Sequence, residues 1–163
     1  MEGRLVYQHT QQGRMFLITA AVLAVIVAIL LAVVTERSTL IPLVLVTIVI
    51  VGVAAVFSRL TVTVDTTEVR AVFGTRWPRR RIALSDVRSA TQVRNRWYHG
   101  WGIRKVANGW MYNVWGLDAV ELELTSGKVF RIGTDEPTAL AAAIDARLGG
   151  RDGHSGRATR RGY

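Results

Sequence analysis

Two long apolar runs occupy the first third of the chain, and neither contains a charged residue. Residues 15–35 and 38–58 each comprise 21 uncharged residues rich in Ala, Val, Ile and Leu. An α-helix rises about 1.5 Å per residue and the hydrocarbon core of a bilayer is about 30 Å thick, so each run is long enough to cross it once. The pattern predicts a membrane α-helical hairpin over residues 15–58, with two transmembrane helices at about 15–35 and 39–58.

The segment between the runs, residues 35–40, is too short for anything but a tight turn, which makes the predicted helices antiparallel neighbours. Pro42 suits the first turn of the second helix, where its missing N–H removes no helical hydrogen bond. A cleavable signal peptide is the alternative for the first run. Its apolar region is usually about 7–15 residues long, however, and a second run of equal length would not be expected to follow.

Small residues recur at helical spacing along both runs. They are Ala21, Ala24, Ala28 and Ala32 in the first run and Gly52 and Ala55 in the second. Because small residues let helix backbones approach closely, we expect these faces to pack the two helices together; docking of another membrane protein or of a second copy is the alternative. The runs contain no Asp, Glu, Lys, Arg or His, the residues that ion pathways and proton relays use.

From residue 60 onward the apolar positions alternate in short segments separated by turn residues, which is typical of β-strands. The predicted strands are residues 60–65, 68–73, 80–84, 89–94, 103–106, 110–115, 119–125 and 128–132. Thr125, Ser126 and Gly127 give the clearest hairpin signal, a short Gly-containing connection between two alternating runs. The pattern predicts a mostly antiparallel sheet or barrel.

A helix is predicted after the last strand. Thr134 or Asp135 can cap it, and Pro137 fits its first turn. Its apolar face consists of Leu140, Ile144 and Leu148. We expect Gly149-Gly150 to end the helix, so that the β domain with its C-terminal helix covers residues 59–148. The segment 149–163, rich in Gly and Arg, is expected to be a disordered basic tail.

Positive charge is distributed unevenly about the hairpin. The chain has a net charge of +9, and 18 of its 21 Lys and Arg residues lie from Arg59 onward. The N-terminal segment, residues 1–14, adds Arg4 and Arg14, whereas the turn holds only Arg37. Basic flanks tend to stay in the cytoplasm. We therefore expect a multi-pass protein of the plasma membrane with both termini and the β domain on the cytoplasmic side.

The sequence lacks the residue sets of most metal and catalytic sites. It contains no cysteine, and His9, His99 and His154 lie far apart without a carboxylate at a metal-binding spacing. Glu121 and Glu123 alternate with apolar residues, as on the solvated side of a strand. Since no nucleophile, base and orienting group can be combined, we expect no metal, no cofactor and no catalysis.

Two clusters combine basic and aromatic residues. The first comprises Arg76, Trp77, Arg79, Arg80 and Arg81, and the second Arg94, Arg96, Trp97, Trp101, Arg104 and Lys105. Beside a bilayer, basic side chains attract anionic lipid and Trp favours the headgroup region, while Trp and Arg are also frequent anchors at protein interfaces. We expect both clusters to contact lipid headgroups or a partner. The alternatives are a solvated strand face for the first cluster and core packing for some aromatics of the second.

The order of the predicted elements resembles that of a known superfold. The segments that carry the likeness are LTVTVD (60–65), RRIALSDV (80–87), GWGIR (100–104), GLDAVEL (116–122) and RIGTDEP (131–137). With the hairpin, they resemble the bacterial PH-like membrane proteins of uncharacterised function. The resemblance implies a mostly β barrel or sandwich of the pleckstrin-homology (PH) superfold closed by a C-terminal helix. Because the connection 66–68 is short and carries no base, the phosphoinositide recognition of eukaryotic PH domains is not implied.

A superfold hosts many functions, so function is weighed on the residues. We expect a membrane-anchored binding or scaffold protein, an accessory subunit or adaptor that contacts another membrane protein, anionic lipid headgroups or both. The alternative is a basic membrane protein that contacts nucleic acid through its arginines and aromatics. An enzyme of unknown class is the third hypothesis.

Overall fold

The computed structural model of the chain describes residues 4–33 and 37–155, which form three α-helices and nine β-strands. In chain order the elements are β1 (Tyr7–Gln12), α1 (Arg14–Val33), α2 (Arg37–Phe57), β2 (Arg59–Val64), β3 (Glu68–Phe73), β4 (Arg79–Ala83), β5 (Val87–Arg94), β6 (Gly102–Val106), β7 (Gly109–Asn113), β8 (Asp118–Leu124), β9 (Val129–Gly133) and α3 (Pro137–Ser155). Two apolar helices, two β-sheets and a C-terminal helix therefore make up the described chain.

The helical hairpin is inserted between two neighbouring strands of one sheet. β1 pairs with β2 in antiparallel register, from Tyr7 opposite Val64 to Gln12 opposite Arg59. The N-terminal segment, which the sequence suggests lies apart from the β domain, thus supplies one of its strands. Its polar sequence YQHTQQ gives no apolar alternation, and the strand forms because the backbone of β2 offers it a free edge.

Side chains also fasten β1 to the segment that precedes α3. The His9 Nε2 atom lies 2.6 Å from Asp135 Oδ1, and the Tyr7 hydroxyl donates to Glu136 over 3.2 Å. Burial, together with this hydrogen bond, raises the pKa of Tyr7 to about 12. β1 is therefore held by its pairing with β2 and by these side-chain contacts, and Tyr7 also packs against the apolar core.

The helices begin and end close to the predicted spans. α1 ends at Val33, and residues 34–36, which carry part of the predicted turn, lie outside the described residues. α2 begins at Arg37, earlier than expected, so that Pro42 lies in the second helical turn instead of the first. Proline in this position removes one backbone hydrogen bond, which the helix tolerates near its end.

α1 and α2 contact each other through a face of larger residues. Val27 on α1 is buried, and Phe16, Leu23 and Leu43 are half-buried along the same seam. At the foot of the hairpin the rings of Phe16 and Phe57 lie 6.5 Å apart. Larger apolar side chains therefore supply most of the covered positions of the two helices, together with the half-buried Ala20 and Ala54.

The prediction that the small residues pack these helices together is wrong. All six are exposed, on faces turned away from the helix–helix seam: Ala21, Ala24, Ala28, Ala32, Gly52 and Ala55. β1 and β2 join the two helices at one end of the hairpin. The covered positions of α1 include Phe16, Leu23 and Val27, and the predicted alanine face lies outside them.

The strands form two sheets. The first has the order β1-β2-β3-β4 and the second the order β5-β8-β9-β7-β6. All eight strands predicted from alternation are present, with ends displaced by at most two residues. All pairs are antiparallel except β7 with β9, which are parallel, so the sheets are mostly antiparallel as expected.

The core lies between the two sheets and beneath α3. The inward positions of β2 and β3 alternate with half-exposed ones, as the pleat of a strand requires. The most deeply buried apolar residues include Leu60, Val64, Phe73, Leu122, Ile132, Leu140 and Ile144. Because they come from both sheets and from α3, burial of this apolar surface joins all three layers.

α3 covers β5 and β8, and its start agrees with the sequence. The Thr134 hydroxyl accepts a hydrogen bond from the Glu136 amide over 3.1 Å, which forms a Thr turn just before the helix and does not cap an amide of its first turn. The expected end is wrong, since the helix continues through Gly149-Gly150 to Ser155. Glycine costs a helix about 1 kcal/mol relative to alanine, which weakens a helix without stopping it. Of the predicted tail, residues 156–163 lie outside the described residues.

Asp65 closes the turn between β2 and β3. Its Oδ1 atom accepts hydrogen bonds from the Thr67 amide at 2.7 Å and the Glu68 amide at 2.8 Å, and its Oδ2 atom lies 3.3 Å from the Arg70 guanidinium. Burial acts to raise the pKa of Asp65, but these hydrogen bonds and the nearby Arg70 outweigh it and lower the pKa. The carboxylate is thus bound in its charged form.

We predict that Gly109→Ala destabilises the fold. A Cβ atom at Gly109 would overlap the backbone carbonyl of Val129 on the parallel strand β9, and backbone cannot move aside as a flexible side chain can. We expect the free energy of unfolding to fall by about 3 kcal/mol, measured by denaturation of the purified protein in detergent. Gly52→Ala is the control because nothing lies within 4 Å of its added Cβ; equal losses in both variants would contradict the close β7–β9 approach.

We also predict that Asp65→Asn lowers the free energy of unfolding at neutral pH by about 2 kcal/mol, since it removes a charge-assisted set of hydrogen bonds. The folded-state pKa of Asp65 is lowered, so its contribution is complete above the unfolded pKa of about 3.9 and is lost as the pH falls through the lower folded value. The difference in the free energy of unfolding between wild type and variant should therefore become smaller as the pH falls from 7 to 3. The same comparison with exposed Asp145→Asn should show little difference at either pH; a gap for Asp65→Asn that does not change with pH would refute the mechanism.

Candidate functional site

The turn between β3 and β4 lies against the foot of α2. The Gly74 amide donates a hydrogen bond to the Arg59 carbonyl over 2.9 Å, and a Cβ atom at Gly74 would lie 3.2 Å from the Val56 carbonyl oxygen. Gly74 also has a φ of 59°, a conformation that favours glycine. The turn is therefore held at the hairpin base, which we define as residues 13–16 and 56–59.

One end of the second sheet reaches the hairpin base as well. The Gln11 side-chain amide donates to the Trp115 carbonyl over 3.1 Å, and a Cβ atom at Gly13 would lie 2.9 Å from the Val114 carbonyl oxygen. The segment that follows β7 thus packs where β1 passes into α1. Both sheets present loops to the same end of the domain.

The residues of the first basic cluster lie partly in the β3–β4 turn and partly on the two faces of β4. Arg76 and Trp77 lie in the turn, and the Trp77 side chain is 74% exposed. Arg79 and Arg81 occupy one face of β4, whereas Arg80 pairs with Ala71, whose side chain is 1% exposed on the core side of the sheet. All three arginines of β4 are exposed, but the register places Arg80 on the opposite face of the strand from Arg79 and Arg81, beside the gap between the sheets.

The second cluster is divided as well. The rings of Trp101 and Trp115 stack 5.8 Å apart at an interplanar angle of 11°, and the Arg104 guanidinium donates to the Trp101 carbonyl over 3.1 Å. Trp97 is 81% exposed in a short 3₁₀ turn after β5. Trp101 is therefore packed against a tryptophan outside the cluster, whereas Trp97, whose ring meets that of Tyr98 edge-on at 6.1 Å, stays largely exposed.

The other basic residues of this cluster flank that turn or lie on β6. Arg94 ends β5 and is exposed. The Arg96 guanidinium donates to the Tyr98 hydroxyl over 3.0 Å and lies 5.9 Å from the ring centroid. Lys105 is exposed on β6 opposite Trp110. The cluster is thus spread over two strands and their connection.

Ion pairs neutralise a different set of arginines. Arg70 pairs with Asp65 and Glu68, and Arg131 pairs with Glu121 at 2.5 Å. Arg88 pairs with Glu123 at 3.2 Å, at the end of β5 remote from the hairpin base. None of the acidic side chains that the structure describes pairs with an arginine of the first cluster. Positive charge near the hairpin base is therefore left without an internal counter-ion.

A continuous row of aromatic rings runs from the hairpin into the β domain. Successive ring centroids lie 6.5, 5.0, 5.1 and 5.1 Å apart along Phe16, Phe57, Phe73, Tyr112 and Phe130. These distances are those of interacting aromatic pairs. The row joins both helices, β3, β7 and β9 in one packed unit, so the hairpin and the β domain share apolar contacts at their junction.

The last two rings of this row form part of a pocket of about 250 Å³ between the sheets. Its lining consists of Arg80, Ile103, Trp110, Tyr112 and Phe130. Burial raises the pKa of Tyr112, an effect that the charge of nearby Arg80 partly opposes. The sequence does not single out Ile103 or Phe130 for such a site, because each has the pattern of an ordinary strand residue and only the pairing of distant strands brings them together.

A second, more polar cleft of about 540 Å³ lies beside β1 and includes Arg14, Trp115 and Asp135. Its acid is already engaged, since Asp135 contacts His9. Among the side chains that the structure describes, no group of three or more His, Asp or Glu lies close enough together to hold a metal ion.

No protein-family model, curated protein or solved structure matches the chain. Function is therefore inferred from the residues themselves. The features that bear on it are the apolar hairpin, the uncompensated arginines at its base and the pocket between the sheets.

Proposed function

We propose that the chain is an integral membrane protein whose two apolar helices both cross the bilayer. Only 6% of each 18-residue stretch, Phe16–Val33 and Leu40–Phe57, is buried in the protein. A core helix of a water-soluble protein would be covered on most sides, whereas these helices expose apolar surface that a bilayer would cover. Cleavage after α1 would also detach β1, which is an argument against a signal sequence.

The pairing of β1 with β2 supports a same-side arrangement of the two flanks. Strands in one sheet cannot lie on opposite sides of a membrane, so the chain that leaves the domain through α1 must return through α2. Arg14 and Arg59 flank the hairpin on that side. By the tendency of basic flanks to remain inside, we propose that the β domain is cytoplasmic and that the membrane is the plasma membrane.

We propose further that the β domain is PH-like, of the kind found in the bacterial membrane proteins it resembles. Two sheets with α3 across β5 and β8 support this assignment. The insertion of β1 before the hairpin and the parallel β7–β9 pair depart from a simple antiparallel meander. The fold alone names no ligand.

The function that the site favours is binding of anionic lipid headgroups by the hairpin-proximal surface of a membrane-anchored scaffold. The observation that carries it is the contact of the β3–β4 turn, with Arg76 and exposed Trp77, against the end of α2 at Val56. The point at which a spanning helix leaves the hydrocarbon core is the level of the headgroups, where each arginine contributes about 1 kcal/mol and tryptophan is favoured.

A second candidate is an accessory subunit or adaptor that docks another membrane protein, or a second copy of the chain, on the hairpin. The exposed alanine face of α1 favours it, because small residues that do not pack α1 on α2 remain available to a further helix. Both functions can coexist, since they use different surfaces.

Topology is predicted from the basic flanks. In an otherwise cysteine-free chain, a cysteine replacing Ser38 should react with an impermeant thiol reagent in intact cells, whereas Ser155→Cys should react only after the membrane is opened. The reverse pattern would place the β domain outside the cell. Release of the whole chain from membranes by high salt would refute the spanning helices themselves.

Headgroup contact is predicted to depend on the turn. In bilayers that contain full-length protein, spin-labelled phosphatidylglycerol and phosphatidylcholine report which lipid contacts the protein surface. We expect the preference for phosphatidylglycerol to fall several-fold in R76Q/R79Q, at about 1 kcal/mol per charge, and to weaken with added salt. The control R88Q/K128Q removes the same charge at the remote end of the sheet; an equal loss in both double variants would contradict a site at the turn.

A further inference from the structure

The pocket lies where the two sheets are not joined. β4 and β6 are edge strands of their sheets, and the gap between them is lined by Arg80 from β4, Ile103 from β6 and aromatic residues from β7 and β9. The gap between these edge strands lies beside the end of the aromatic row formed by Tyr112 and Phe130. At about 250 Å³ the pocket is slightly below the usual range of about 300–1,000 Å³ for small-molecule sites, so it accommodates one end of a longer ligand.

Two hydrogen-bond donors in the pocket have no partner among the residues that the structure describes. The Arg80 side chain is exposed beside the pocket and makes no ion pair or hydrogen bond to any of them. The Tyr112 side chain is also without a hydrogen bond, yet the residue is only 9% exposed. Because its pKa is raised by burial, the hydroxyl stays protonated at neutral pH and can donate.

The remaining lining is apolar or aromatic and contains no acidic side chain. A cation and a neutral donor favour a carboxylate or phosphate group, while Ile103, Trp110 and Phe130 favour an apolar chain over a second charged group. A cationic or purely polar ligand would leave one half of this pocket without a complementary partner. The lining is thus matched to an amphiphile with one anionic group.

The distance of the pocket from the hairpin base indicates how far it lies from the proposed membrane surface. Arg80 lies opposite Ala71, two positions along β3 from Phe73, and Phe73 packs on Phe57 at the hairpin base. At about 3.3 Å per residue, Arg80 is about 7 Å from that level, which is comparable to the thickness of the headgroup layer. This placement rests on the membrane anchoring proposed above, whereas the chemistry of the pocket does not.

We propose that the pocket binds a single-chain anionic amphiphile, with its carboxylate or phosphate on Arg80 and Tyr112 and the start of its acyl chain against Ile103, Trp110 and Phe130. The site is separate from the β3–β4 turn that contacts the bilayer surface, since Arg80 faces the core side of β4 and Arg79 and Arg81 face the other. The protein would thereby sense or hold a fatty acid or lysophospholipid at the membrane surface.

The test uses full-length protein labelled with 5-fluorotryptophan in phosphatidylcholine nanodiscs, where Trp110→Phe assigns the ¹⁹F resonance of Trp110. Decanoate is added from water, and oleoyl lysophosphatidate is added within the bilayer, so that the two arms separate a water-borne ligand from a membrane lipid. We expect a saturable shift of the Trp110 resonance with at least one of them. Decyltrimethylammonium, which has the same chain and the opposite charge, should leave this resonance in place.

Variants separate the pocket from general partitioning into the bilayer. Arg80→Gln should weaken the apparent affinity about tenfold, the usual effect of losing a charge-assisted hydrogen bond. Tyr112→Phe should weaken it several-fold while keeping the ring in the aromatic row. Arg81→Gln, next in sequence on the opposite face of β4, is the matched control and should change it less than twofold. Ile103→Trp keeps the charge, fills the cavity and should abolish the shift.

The proposal is overturned if Trp110 is unaffected by both anions, if decyltrimethylammonium shifts it equally, or if Arg80→Gln and Arg81→Gln weaken binding to the same extent. Unchanged ligand-free resonances of the other four native tryptophans, which lie outside the pocket lining, show in each variant that the fold is retained. Should high salt release the chain from membranes, the anchoring would be refuted while the decanoate titration still decided the pocket. Membrane anchoring and ligand binding in the pocket are therefore tested by different measurements.

Discussion

Six residue pairs between β1 and β2 join the two ends of the helical hairpin in one sheet. Neighbouring strands lie about 4.8 Å apart and packed helices about 8–10 Å apart, so the helices must diverge as soon as they leave the strands. Gly13 lies at this point: its amide donates to the Ser58 carbonyl over 2.6 Å, and a side chain there would meet Val114. The strand pairing thus fixes where the helices start and holds the two ends of the hairpin side by side.

The two ends of the β domain differ in how far their positive charges are neutralised by acidic side chains. Near the hairpin base the loops carry exposed Trp77 and arginines without internal counter-ions, whereas Arg88 is paired with Glu123 at the remote end. Repulsion among uncompensated arginines opposes their collection in one region. Their retention at the end nearest the helices is physically reasonable where an anionic bilayer surface supplies the missing negative charge.

Aromatic packing connects this end to the interior. Phe57 and Phe73, at a centroid distance of 5.0 Å, form the contact between hairpin and β domain, and the row continues through Tyr112 to the pocket. A small displacement of α2 would therefore alter the packing around Tyr112, because packed interiors transmit strain. The same contacts make the hairpin and the domain one unit instead of an anchor attached by a free linker.

The sequence by itself determined the length of both apolar helices, eight of the strands and the start of α3, because each depends on a periodicity contained within one segment. It did not reveal β1, whose polar residues pair with a strand about 50 positions away, nor the outward rotation of Ala24 and Ala28. The separation of Arg80 from Arg81 required the register of β4 on β3. Only the tertiary structure decided the pocket, because its lining comes from four strands whose pairing no local pattern specifies.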